Sequence, residues 1–166
     1  DNGDSKCWGS NYNANLAQGH RFDIGESAVS LGDNLAPINL SSTASIRNID
    51  VNDYVGCASL SDNTVKCWGL DYYGNRGSED SLIGDDKNEL GSNLITLNLG
   101  TGAKFKEIKS HMNINCGLAT DNNLACWGYG GEGGLASGSG ATYGYLDSHW
   151  GDGNINFINS FFIKSK

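Results

Sequence analysis

Residues 57–69 read CASLSDNTVKCWG and residues 116–128 read CGLATDNNLACWG, while the phrase Cys-Trp-Gly alone occurs a third time at Cys7-Trp8-Gly9. The three copies of that phrase are spaced by 60 and 59 residues. A repeat of this period is one supersecondary unit that cannot bury its apolar face alone, so copies must stack. The match extends beyond the phrase: residues 24–40 superimpose without a gap on residues 83–99. They share Ile24/Ile83, Gly25/Gly84, Leu31/Leu90, Gly32/Gly91, Asn34/Asn93, Leu35/Leu94, Asn39/Asn98 and Leu40/Leu99.

Within each complete unit a second cysteine precedes the phrase by ten residues, Cys57 before Cys67 and Cys116 before Cys126. The midpoints are Asp62-Asn63 and Asp121-Asn122, residue types that tolerate the left-handed backbone of a tight turn. Two strands folded back there set the cysteines opposite one another, within disulfide reach. The spacing therefore predicts Cys57–Cys67 and Cys116–Cys126 bridges. Counting back ten from Cys7 leaves the sequence, so Cys7 is expected to be unpaired or joined to another segment. Each tryptophan follows a cysteine and points to the opposite face of its strand. Every unit should thus carry sulfur on one face and indole on the other, with Trp8, Trp68 and Trp127 packed between adjacent sheets.

Along the chain, residues 1–43 read as the second part of a unit and a long connection, and 44–102 as a full repeat. Residues 103–154 read as a full repeat with a variant Gly-rich loop, and 155–166 as the first strand of a further unit. Strands are expected from Ile46, Ile49 and Val51, then Val55–Leu60 and Val65–Trp68, and again from Phe105 and Ile108 through Leu124–Trp127. Twenty-four glycines, one proline and no sustained helical periodicity indicate short strands and many turns.

A formal charge of −8 and a pI near 4.6 argue against a polyanionic partner, so neither DNA nor RNA is expected. No run approaches the ~20 apolar residues that span a bilayer, so membrane insertion is not expected. With no signal peptide ahead of Asp1, the chain reads as a mature or excised segment. Paired cysteines point to an oxidising, extracellular location, and Asn39-Leu40-Ser41 is a glycosylation acceptor triplet.

Chemistry is sparse. His20, His111 and His149 lack metal-ligand spacing. Asp85, Asp86 and Glu89 could offer oxygens to calcium but lack the alternating loop pattern and read better as a solvated turn. Four thiolates in two pairs, each ten residues apart, do not suit zinc, whose ligand pairs sit about two to four residues apart. The Gly-rich stretch 130–140 has no GxxxxGK[ST], and no nucleophile–His pair can be picked out. Neither a cofactor nor catalysis is expected. Tyr72, Tyr73, Tyr143, Tyr145 and Trp150 are interface candidates, since Tyr and Trp are frequent contact anchors.

The pattern Cys-Ala-x-Leu-x-Asp-x-x-Val-Lys-Cys-Trp-Gly at residues 57–69, followed by Asp71-Tyr72-Tyr73-Gly74-Asn75, resembles the regulator of chromosome condensation repeat family. The resemblance covers residues 44–128. It implies β-propeller blades of about 60 residues, here an incomplete ring because fewer than three repeats are present. The Cys-paired variety with an Ile-Gly-Asp-Asp…Leu-Gly…Leu insert, as at residues 83–94, looks extracellular. It further implies non-enzymatic work by loops presented to a protein. The expected function is a secreted structural or adhesive module, part of a larger chain or filament. The alternative is extracellular recognition of a protein or glycan.

Overall fold

The computed structural model describes residues 4–77, 81–100 and 103–144, together with the backbone of the short strand Phe157–Ile158. Tyr145, His149, Trp150 and most of 155–166 lie outside the described residues. No α-helix forms among those described; regular structure is antiparallel strand with short 3-10 turns.

The first sheet runs β1 (Ile46–Val51), β2 (Val55–Leu60), β3 (Val65–Leu70) and β4 (Leu82–Ile83), in that spatial order. The second runs β5 (Phe105–His111), β6 (Ile114–Ala119), β7 (Leu124–Gly128) and β8 (Phe157–Ile158). This all-β array of four-stranded antiparallel sheets is an incomplete β-propeller. Residues 4–44 form a leading half-unit, whose Gly9 pairs with Ile24 as Gly69 pairs with Ile83 and Gly128 with Tyr143.

The hairpin turns adopt the geometry their residues favour. Asn63 and Asn122 both sit at φ 69°, in the left-handed region. Asp62 Oδ1 accepts from the Thr64 amide at 3.0 Å and Asp121 Oδ1 from the Asn123 amide at 3.0 Å. The first strand of each sheet, β1 and β5, carries an irregularity, at Arg47 and at Lys106. There the extra residue sends a cation to the turn asparagine, Arg47 to Asn63 Oδ1 and Lys106 to Asn122 Oδ1, each at 2.6 Å.

The turns set the register. Cys57 stands opposite Cys67 and Cys116 opposite Cys126, with Cα atoms 4.1 Å apart in each pair and both pairs disulfide-bonded. Cys7 is the free cysteine.

Two apolar clusters show how the units stack. Between the sheets, Val55, Cys57, Val65 and Cys67 pack with Phe105, Ile108, Ala119, Ala125 and Trp127. Between the half-unit and the first sheet, Ile38 and Leu40 pack with Ala58, Leu60, Trp68 and Ile83, with Cys7 at the margin. The sulfur face of one unit therefore meets the indole face of the next.

Hydrogen bonds repeat across both junctions. Trp68 Nε1 donates to the Asn15 carbonyl at 2.8 Å, and Trp127 Nε1 to the Asn75 carbonyl at 3.0 Å. Between β1 and β5, Asn48 Oδ1 accepts from the Ile108 amide and Asp50 Oδ2 from the Ser110 amide, both at 2.7 Å.

Two expectations are corrected. Trp8 is not packed between sheets but 65% exposed, because nothing among the described residues covers its face. Phe157–Ile158 does not open a further unit: Phe157 pairs with Ala125, where Thr96 meets Lys66 in the first sheet. The apolar pattern of 155–166 suits either place, and β8 lies on the side of β7 away from β6, whose Gly117 already stands opposite Ala125.

Candidate protein-binding rim

Antiparallel order decides which residues share an end of the array. β1 turns into β2 at residues 52–54, and β3 leaves the sheet at Leu70, so that turn and the following loop lie together. The same holds for the turn at 112–113 and the loop after Gly128, and for the loop after Gly9. Backbone bonds tie these pieces into one rim: the Leu70 amide donates to Tyr54 O and the Tyr129 amide to Asn113 O. Asn13 Nδ2 donates to Asp53 O at 2.7 Å, and Asn52 Nδ2 to Met112 O at 3.3 Å.

The rim exposes aromatic surface: Tyr12 is 70% exposed, Tyr72 59%, Tyr129 39% and Tyr73 38%. Tyr12 and Tyr72 occupy equivalent positions, 60 residues apart. The rings are held by neighbours. Tyr73 and Tyr129 lie 4.9 Å apart between centroids, Tyr72 meets Tyr54 edge-on, and Arg21 stands over Tyr12 at 4.4 Å. Rings fixed before contact lose little entropy on binding. Met112, 63% exposed, adds an adaptable apolar group.

A buried carboxylate pins the loop that carries Tyr72 and Tyr73. Asp71 Oδ1 accepts from the Tyr73 and Asn75 amides at 3.0 and 3.1 Å, and Oδ2 from the Arg76 amide at 2.9 Å. Burial raises the Asp71 pKa above the ordinary carboxylate value, with the three amides pulling the other way. In the half-unit, Asn11 does this work, its Oδ1 accepting from the Leu16 amide at 3.0 Å.

Of the other sequence candidates, Tyr143 is half-buried and bridges back to Gly128, beside the exposed Tyr129. Asn39 is exposed, although its carbonyl accepts from the Gly91 amide at 3.0 Å. Asp86 and Glu89 close their own loop: Glu89 Oε2 accepts from the Gly84 amide at 2.7 Å and Asp86 Oδ1 from the Asn88 amide at 2.8 Å. His20 Nδ1 accepts from the Phe22 amide, and His111 is exposed.

Sequence reasoning missed Tyr12, Met112 and Tyr129, and missed the Asn15 and Asn75 carbonyls that receive the indoles. The signal for the asparagines was present, since Asn15 and Asn75 lie 60 residues apart. It missed as well a lysine pin, Lys6 Nζ to Gly32 O at 2.8 Å and Lys66 Nζ to Gly91 O at 2.9 Å.

No protein-family model matches the sequence, and no curated protein matches it. Solved structures do. Human WBSCR16 is 13% identical, with a TM-score of 0.58, over 78% of this chain and 29% of that one. Prp20p from Saccharomyces cerevisiae is 17% identical, with a TM-score of 0.58, over 93% of this chain and 34% of that one. Yeast RCC1 (Prp20) bound to Kap60 is 22% identical, with a TM-score of 0.49, over 74% of this chain and 25% of that one. The chain thus spans about a third of the length of the solved structures it matches. The stacked sheets and the two likenesses at a TM-score of 0.58 together give it an RCC1-type β-propeller fold.

Proposed function

We propose that this chain is a non-catalytic, secreted propeller module that binds another protein through its tyrosine-bearing rim. The observation that carries the reading is the pre-fixed set Tyr12, Tyr72, Tyr73 and Tyr129 on one end of a disulfide-pinned array. Tyrosine is among the residues that dominate binding energy at interfaces. Prp20p is described with binding properties to Gsp1p and histones, which supports protein binding as work suited to this fold. No contact residue is carried over from it. Two disulfides support an oxidising, extracellular setting.

The test is capture from the native fluid with wild-type chain and a Tyr12→Ser, Tyr72→Ser, Tyr73→Ser triple variant of equal melting temperature. A saturable partner weakened by about thirtyfold or more, the effect of losing one interface hot spot of ~2 kcal/mol, supports the rim. Equal capture by both would reject it.

A second reading, structural self-assembly, is favoured by one observation. The indole face at Trp8 is open, whereas the equivalent faces at Trp68 and Trp127 are covered. A head-to-tail contact of that kind, if it does not close, grows a fibre. Sedimentation at rising concentration distinguishes it: a mass that stays monomeric argues against assembly.

A further inference from the structure

Charge is divided unevenly between the two ends of the array. At the end of the hairpin turns, Arg47 and Lys106 reach the turn asparagines, and Lys104 lies beside the second turn, its carbonyl accepting from the Thr120 amide at 2.8 Å. These three cations outweigh the turn carboxylates Asp62 and Asp121. In the described rim loops the balance is reversed: the exposed charged side chains are Asp23, Asp53 and Glu132 against Arg21 alone.

The rim carboxylates stand beside the rings. Asp53 precedes Tyr54, whose ring meets Tyr72 at 6.2 Å between centroids. Glu132 follows Gly131, and the Tyr129 ring lies across that glycine, where a Cβ would overlap its hydroxyl end. Asp23 Oδ1 accepts from the Asn11 amide at 2.7 Å, next to Tyr12. One ring already holds the kind of group such a surface takes. The Arg21 guanidinium carbon stands 4.4 Å above the Tyr12 ring centre, and its Nε donates to Tyr12 O at 2.6 Å. A guanidinium is drawn to an aromatic face by the ring quadrupole and stacks on it. The next unit repeats the ring as Tyr72 without repeating the arginine: three residues before Ile24 stands Arg21, and three before Ile83 stands Asp80. Among the described residues no cation stands over Tyr72, Tyr73 or Tyr129.

We propose that the rim recognises arginine: an extended, arginine-bearing segment of the partner protein lays its guanidinium groups on Tyr72, Tyr73 and Tyr129, beside Asp53 and Glu132. The inference rests on the protein-binding reading of the rim and adds the chemistry of the partner. A net charge of −8 draws a cationic segment to the chain, and the uneven distribution directs it to the rim rather than to the turn end. Arginine suits the site better than lysine, because its planar group offers a face to the ring and a row of donors to a carboxylate at once.

The test titrates a fluorescent peptide of Gly-Ser-Arg repeats with the chain and follows anisotropy. The control peptide carries citrulline for each arginine, which keeps the shape and removes the charge. The arginine peptide should bind saturably and about tenfold tighter or more, the combined effect of cation–π contacts at two or three partly exposed rings. Three variants of equal melting temperature locate the binding. Tyr72→Leu with Tyr129→Leu leaves every charge in place and should weaken binding about tenfold. Asp53→Asn with Glu132→Gln should weaken it and flatten its fall with salt. Asp62→Asn with Asp121→Asn removes the same charge from the turn end and should leave affinity unchanged. Equal binding of both peptides, no saturable binding, full affinity in the Tyr72/Tyr129 variant, or equal losses from the two carboxylate variants would each overturn the proposal. Capture of the native partner reports separately. A partner lost with the rim tyrosines, alongside any of those results, would strike the arginine chemistry and leave the rim standing; capture indifferent to the tyrosines would strike the rim itself.

Discussion

Trp8→Ala and Trp127→Ala remove the same side chain from equivalent positions of the repeat, and the stacked-sheet arrangement makes their consequences very different. Trp127 is fully buried between the sheets, 0% exposed, and its Nε1 donates to Asn75 O. Truncating a buried tryptophan costs about 3–5 kcal/mol, most of it transfer and cavity energy. The lost hydrogen bond leaves the Asn75 carbonyl satisfied, because Asn115 Nδ2 also donates to it, so this adds no more than about 1 kcal/mol. Trp8 is 65% exposed, and surface changes of this kind stay within about ±0.5 kcal/mol. The two variants should therefore differ by roughly 4 kcal/mol, about a thousandfold in the folding equilibrium, or on the order of 10 °C in Tm. Urea titrations followed by far-ultraviolet circular dichroism measure this directly. Equal destabilisation by the two variants would refute the claim that the indole face is what each sheet presents to its neighbour.

Further outcomes follow from the same geometry. Replacing either bonded pair, Cys57/Cys67 or Cys116/Cys126, with serines opens a ten-residue loop. Each replacement should lower stability by about 2–3 kcal/mol on the chain-entropy estimate, read from urea midpoints. Burial holds the Asp71 carboxyl above the ordinary carboxylate range, so the folded chain keeps a proton that the unfolded chain has released. Asp71 therefore makes stability fall as pH rises from about 4 through the raised value and stay level above it; Asp71→Asn, which copies Asn11, should remove that slope. Lys66 is 6% exposed with its Nζ on Gly91 O, whereas Lys6 makes the equivalent bond at the surface. Lys66→Ala should cost about 1.5–3 kcal/mol and Lys6→Ala less than 1, measured by thermal melts.

The strand pattern and the turns were legible in the sequence because they depend on short-range rules. Ten residues centred on Asp-Asn fix a hairpin, opposed cysteines follow, and the residue after each cysteine must face the other way. The alternation of sulfur and indole faces came from the same step. What could not be read depends on which distant group comes to lie opposite. The Gly-rich loop returns to bridge Gly128 through Tyr143, a position with no letter in common with Ile24 or Ile83. Phe157–Ile158 joins the second sheet on the side of β7 away from β6, and an apolar tail pattern alone does not choose between sheets. For the rim, residue type alone points to Tyr72 and Tyr73. The equal claims of Tyr12 and Tyr129 emerge only once antiparallel order brings their loops to one end.

The central claim is that each unit's indole is buried against the unit before it, with its N–H on that unit's asparagine carbonyl. Hydrogen exchange of the indole N–H groups, resolved by nitrogen-15 NMR with each signal assigned by single Trp→Phe variants, tests this most directly. Trp68 and Trp127 should exchange slowly, at rates set by opening of the sheet stack, and Trp8 within the dead time. Rapid exchange at Trp68 or Trp127, or protection of Trp8 equal to theirs, would contradict it.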